Sequence, residues 1–211
     1  MKTITLFLFI TISTVSLALD EKYLQAMQKN IEQVYKAQTA EELQKAVNSF
    51  DRIANVEKTK WEPLYYSAFG NVMLATREGD KAKKDQYLDL AWSAIEKAKA
   101  IQADNSELIA MEGFVHMIRV TVDPATRGQQ YSSKAYEAYN RALAVDANNP
   151  RALALLAQME FGTAQFFGSS TEGACTTANK AIEKFENFKS ENPLAPVWGK
   201  EITLSLKKNC K

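Results

Sequence analysis

The chain has 211 residues, 46% of them apolar and 24% charged, with only 8 Gly and 5 Pro. That composition excludes collagen-like and low-complexity classes and allows one extended domain. Lys plus Arg number 26 against 25 Asp plus Glu, a balance that provides no basic field for nucleic acid or anionic lipid, so no nucleic-acid partner is expected.

Lys2 precedes an uncharged run over 3–19, with its apolar centre at Ile4, Leu6, Phe7, Leu8, Phe9, Ile10 and Ile12. Ser16 and Ala18 put small residues at the two positions a signal peptidase reads. The run is short for a membrane span of about 20 residues and is diluted by Thr and Ser. It is read as a signal peptide over 1–18, which makes 19–211 the mature domain and leaves no stable membrane span. No Cys follows it, which disfavours a lipid anchor, and the expected location is exported, either periplasmic or extracellular. Export gives meaning to Cys175 and Cys210, because oxidising compartments permit a disulfide that the cytosol would reduce. A bridge between them closes 35 residues and ties the tail to the preceding helices; the other reading is two unpaired, buried small side chains.

Beyond the leader, apolar periodicity and start signals predict nine helices, at 21–37, 40–57, 60–76, 82–102, 106–121, 132–145, 150–166, 172–189 and 195–208. No stretch alternates like a strand. Capping-box spacing marks the starts at Thr39 with Glu42, Thr59 with Glu62, Asp104 with Glu107 and Ser169 with Glu172, while Asn149 precedes Pro150 as N-cap and first helical residue. A repeat underlies these helices. Ala46, Phe50 and Ile53 recur as Ala91, Ile95 and Ala98, then as Ala135, Tyr139 and Ala142, then as Ala181, Phe185 and Phe188, with the alanines 45, 44 and 46 residues apart. The preceding helices keep step: Leu64, Ile109 and Leu153 are each followed four residues later by a small residue, Ala68, Gly113 or Ala157. A small residue in mid-stripe lets a neighbouring helix approach closely, so each unit is a helix pair.

The segment Ala135, Tyr139, Ala142 followed by 143–150 (LAVDANNP) resembles the second helix and exit turn of a tetratricopeptide (TPR) repeat, and 101–107 (IQADNSE) is a looser copy. The period of 44 to 46 residues exceeds the usual 34 of that family. More closely, the segments 122–128 (VDPATRG), 167–175 (FGSSTEGAC) and 193–200 (PLAPVWGK) resemble a group of exported bacterial TPR-like proteins of unassigned function. The resemblance implies an all-α, TPR-like α-solenoid of four antiparallel helix pairs with a C-terminal capping helix, and it implies export; it names no ligand.

Three constellations bear on function. His116 is the sole histidine, with Glu112 one turn before it and Asn71 and Glu160 at equivalent positions of flanking units; the row is read as structural, and no catalytic or metal residue and no cofactor are assigned. HExxH, P-loop and EF-hand patterns are absent, which points away from an enzyme. First helices line the concave groove in TPR stacks, so Tyr65, Phe69, Phe114, Arg151 and Gln158, edged by Glu62 and Glu107, are expected to bind a protein or peptide partner. The third constellation is an edge of loops at 77–84, 122–131 and 167–173, where Arg127, Gly128, Gly168, Ser169 and Ser170 offer donors to a small molecule or glycan, the alternative to the peptide groove. Trp198, with Ile202, Leu204 and Leu206, is expected to sit on the capping helix.

Overall fold

The computed structural model describes residues 10–210, with side chains from 20 to 210. Among the described residues there are nine helices and no strand: α1 (Ile10–Lys36), α2 (Ala40–Val56), α3 (Glu62–Arg77), α4 (Lys81–Ile101), α5 (Ser106–Val122), α6 (Pro124–Val145), α7 (Pro150–Phe167), α8 (Glu172–Asn187) and α9 (Lys200–Lys207). The expected leader begins outside the described residues, and 10–18 are described only as backbone of α1. No helix of the described residues is long and apolar enough to cross a membrane.

Consecutive helices pack as antiparallel pairs, α1/α2, α3/α4, α5/α6 and α7/α8, and α9 closes the end against α7 and α8. Odd helices also touch one another in sequence, α1 to α3, α3 to α5, α5 to α7 and α7 to α9, so they form one continuous face of the stack. The repeated alanines Ala46, Ala91, Ala135 and Ala181 are all buried, each where a larger side chain would force paired helices apart. Gly113 shows the same constraint from the other partner: a Cβ there would run into the Tyr139 ring, which is itself wholly buried.

Local chemistry sets the boundaries. Thr39 and Glu42 form the full capping box, and the Asn105 and Asn149 carboxamides each accept from two N–H groups in the first turns of α5 and α7. The other expected boxes do not form: Trp61 precedes α3 and Thr171 precedes α8 without side-chain caps, and Asn105 takes the place of Asp104. Asp80 caps α4 by accepting from the Lys83 N–H.

Two boundaries depart from the sequence reading. Helix α6 begins at Pro124 rather than at 132, because Asp123 followed by Pro starts a helix as Asn149 followed by Pro150 does. The expected loop 122–131 is therefore helix from its third residue on, and Arg127 and Gly128 lie in it. Helix α9 begins at Lys200 rather than at 195: Pro193 and Pro196 remove backbone donors, and Gly199 adopts φ 109°, a left-handed value that ends any helical run arriving from before it. Residues 188–199 are consequently an extended connection from α8 to α9, and Trp198 belongs to that connection, not to the capping helix.

Candidate functional site

The connection 188–199 lies along the concave face and touches every odd helix of the four pairs. Asn192 Nδ2 donates to Glu62 Oε1 at 3.0 Å, the Tyr66 hydroxyl to the Leu194 carbonyl at 2.7 Å, the Val197 N–H to the Tyr35 hydroxyl at 3.4 Å, and Trp198 Nε1 to the Tyr65 hydroxyl at 3.0 Å. Leu194 is 2% exposed and joins the main core. The Trp198 ring lies over Phe69, with centroids 5.1 Å apart, and over Phe114 at 5.7 Å, with interplanar angles of 31° and 26°. These two phenyl rings come from equivalent positions of successive units, one on α3 and one on α5.

The fourth pair, through α7, contributes Arg151, which is 0% exposed. Its Nε and Nη2 donate to the two Glu107 oxygens, both at 2.7 Å, and its guanidinium stacks 4.4 Å over Phe188. Burial works against the arginine charge, and the Glu107 hydrogen bonds outweigh it, so its pKa is raised. Nη1 is buried without a partner. The Tyr65 hydroxyl is pushed well above its usual range by burial, with Glu107 raising it further and Arg151 opposing. A Cβ on Gly199 would meet Phe185 Cζ at 2.8 Å and Arg151 Cγ at 3.4 Å, which places the end of the connection directly on Arg151.

The expected partner residues therefore come together, but not as an open groove. Tyr65, Phe69, Phe114 and Arg151 are buried at 0 to 5% exposure, because the chain's own segment covers the aromatic floor that the repeat creates. Gln158, farther along α7, is half-buried. Sequence reasoning missed Leu194, Asn192 and the role of Trp198; the signal was the pair of prolines and the glycine around them, which marks an extended segment rather than a helix.

The loop edge is also altered. Arg127, half-buried on α6, donates to Asp85 at 2.7 Å, and Arg119 pairs with the same carboxylate at 3.3 Å, so Asp85 holds both guanidinium groups. Gly128 is half-buried within the helix. Gly168 is the left-handed C-cap of α7 at φ 64°, the Ser169 N–H donates to the Ala164 carbonyl at 2.8 Å, and Ser170 Oγ accepts from the Glu172 N–H at 3.2 Å, so this turn ends one helix and starts the next. Beside it stand Phe166 and Phe167, 75% and 74% exposed with their rings edge to face.

Around His116, the ring lies 5.1 Å from Trp92 and 5.8 Å from Tyr131, and Nδ1 is buried without a partner. Burial lowers its pKa to about 4. Glu112 is held by Lys99 and Arg141. Burial opposes its charge, but these two cations keep the carboxyl below the ordinary range. Asn71 Oδ1 and Glu160 Oε2 are buried without partners, so the polar row expected from the repeat register is not a hydrogen-bonded set. Among the described residues no group of three or more His, Cys, Asp or Glu side chains is placed to hold a metal. Cys175 and Cys210 are joined, Sγ to Sγ, at 2.05 Å.

No protein-family model matches the chain, and no curated protein matches it. Among solved structures, the chain is similar to the HusA haemophore from Porphyromonas gingivalis, with 27% identity and a TM-score of 0.80 over 90% of this chain and 92% of that one. The all-helical architecture extends through both proteins nearly end to end.

Proposed function

We propose that this protein is an exported, non-enzymatic binding protein, a divergent relative of the TPR-like proteins, and that its cargo is a porphyrin of the haem class. The observation that carries the reading is the likeness to a haemophore across nine-tenths of both chains. The geometry favours a small ligand over an extended peptide, because residues 188–199 already occupy the concave face with hydrogen bonds to α1 and α3 and ring contacts to α3 and α5. Export through a leader at 1–18 belongs to the same reading, since a haem carrier works outside the cytoplasm.

The side chains that most often ligate haem iron are enclosed here. His116 is 7% exposed and both cysteines are paired. Affinity then rests on contact with the ring face and on recognition of the carboxylate arms, and a porphyrin without iron should bind about as well as haem. Titration of the exported protein with haem and with metal-free protoporphyrin tests this. A saturable change in the Soret absorbance with both, within about tenfold in Kd, is expected, together with a rise in melting temperature worth about 2.7 kcal/mol at a hundredfold excess over Kd. An absorbance that rises linearly without saturating overturns the proposal.

A protein partner is the second reading, and Phe166 with Phe167 favours it. Two neighbouring phenylalanines three-quarters exposed at a helix end are a contact surface for another macromolecule more readily than a seat for a flat ring.

A further inference from the structure

Trp198 is held in place as a ligand would be. A flat ring rests on two phenyl faces from successive units, and its one polar atom donates to a buried tyrosine hydroxyl. Its neighbours are held unequally: Pro196 and Gly199 are buried, whereas Val197 is not. Val197 is 68% exposed and its N–H makes only the 3.4 Å bond to Tyr35. Gly199, immediately after the tryptophan, has the left-handed φ that suits a pivot. Leu194, which anchors the segment in the core, lies four residues earlier, and Pro196 stiffens the stretch between.

A second, independent feature stands next to this seat. Arg151 has a buried Nη1 with no acceptor, although its other two nitrogens each donate to Glu107. A buried donor left unmatched is costly and calls for an explanation. Its charge bears on the Tyr65 and Tyr35 hydroxyls, the two groups that hold Trp198 and Val197. This guanidinium borders the seat, since Gly199, the residue after Trp198, lies against Arg151 Cγ. A flat apolar ring, a hydroxyl at its edge and a spare guanidinium donor together describe the seat for a planar macrocycle bearing carboxylate arms.

We infer that Trp198 is a built-in occupant of the ligand seat: the cargo displaces the indole, lays its ring on Phe69 and Phe114, and gives a carboxylate to Arg151 Nη1. This rests on the porphyrin reading above and adds the place and the mode. The indole competes with the ligand, so affinity is set by the balance between the two occupants. The displaced segment keeps its ends, Leu194 in the core and α9 tethered by the Cys175–Cys210 bond just beyond it, and closes again when the cargo leaves.

The test is titration with metal-free protoporphyrin of wild type, Trp198→Ala and the double variant Phe69→Leu/Phe114→Leu, each checked for a cooperative melt. The expected result is tighter binding by Trp198→Ala and binding weaker by about tenfold or more in the double variant. In case Trp198→Ala disturbs the fold, the wild-type protein supplies a second readout. With indole nitrogens labelled, the Trp198 N–H signal should lose its protection from solvent exchange on saturation, while the exchange of Trp61 and Trp92 is unchanged. Binding by the wild type with the Trp198 N–H still protected and the double variant unaffected overturns the seat and leaves the porphyrin reading standing. No binding by the wild type overturns both.

Discussion

His116 illustrates how a side chain that looks functional in isolation becomes a stability element once its surroundings are known. Its ring is flanked by Trp92 and Tyr131, and the charged groups near it are Glu112, Lys134, Arg119 and Arg141. Burial is the largest cause of its lowered pKa, and only Glu112 opposes. With a folded-state value of about 4 against 6.5 when exposed, the unfolded chain binds a proton that the folded chain refuses between these two values. Stability from this residue is full above about pH 6.5 and is lost as pH falls toward 4. Solvent screening holds the loss to about 1–2 kcal/mol. Thermal unfolding at pH 7 and at pH 5 should show a fall in melting temperature in the wild type, and His116→Gln should flatten most of that difference, since the amide does not titrate. Glu112 and Asp123 do not obscure the window, because both are held below their ordinary values and protonate only at more acid pH.

At the scale of elements, what the sequence made legible was whatever repeats. Ala46, Ala91, Ala135 and Ala181 locate the helix pairs because the same close approach is required in every unit, and the first-helix aromatics Tyr65, Phe69 and Phe114 lie beneath the connection as buried core. What repetition does not encode was lost. Asp123 before Pro124 starts α6 eight residues early, and Arg127 thereby passes from a loop to an ion pair with Asp85. The connection 188–199 occurs once, so no register check exposed it, and its contacts reach back more than 100 residues to α3. Its tether is the bond from Cys175 on α8 to Cys210 just beyond α9. Closing 35 residues restricts the unfolded chain by about 3–4 kcal/mol in the loop-entropy picture. A Cys175→Ser/Cys210→Ser variant should therefore melt lower. Its amide exchange should quicken first in α9 and in 195–199, while α3 to α5, held by their own core, keep wild-type protection. Uniform quickening through all helices would mean that the bridge secures the whole stack and not its end.

For the whole molecule, the connection changes what kind of solenoid this is. In an open repeat stack the concave face is a surface; here it is interior, since Tyr65, Tyr66, Phe69 and Phe114 pack beneath Leu194 and Trp198 in the same core that reaches from α1 to α7. The fold is then closed in two ways, by α9 at the end and by residues 188–199 along the inside, and a helix stack that would otherwise expose an aromatic strip hides it. Ending the chain after Asn187 should reverse this without dissolving the helix pairs, whose packing lies between α1 and α8. The shortened protein should keep its helical circular dichroism, bind an apolar fluorescent dye much more strongly than the full chain, and associate in a concentration-dependent way, because a bare aromatic strip of this size is a contact surface. Arg151 sets the limit on how far this goes. Its guanidinium rests on Phe188, which the truncation removes, and water then reaches the unmatched Nη1, which relieves part of the cost of uncovering the floor. Loss of the helical signal on truncation would instead mean that the segment is a required part of the core, leaving no room for Trp198 to move aside while the stack stays folded.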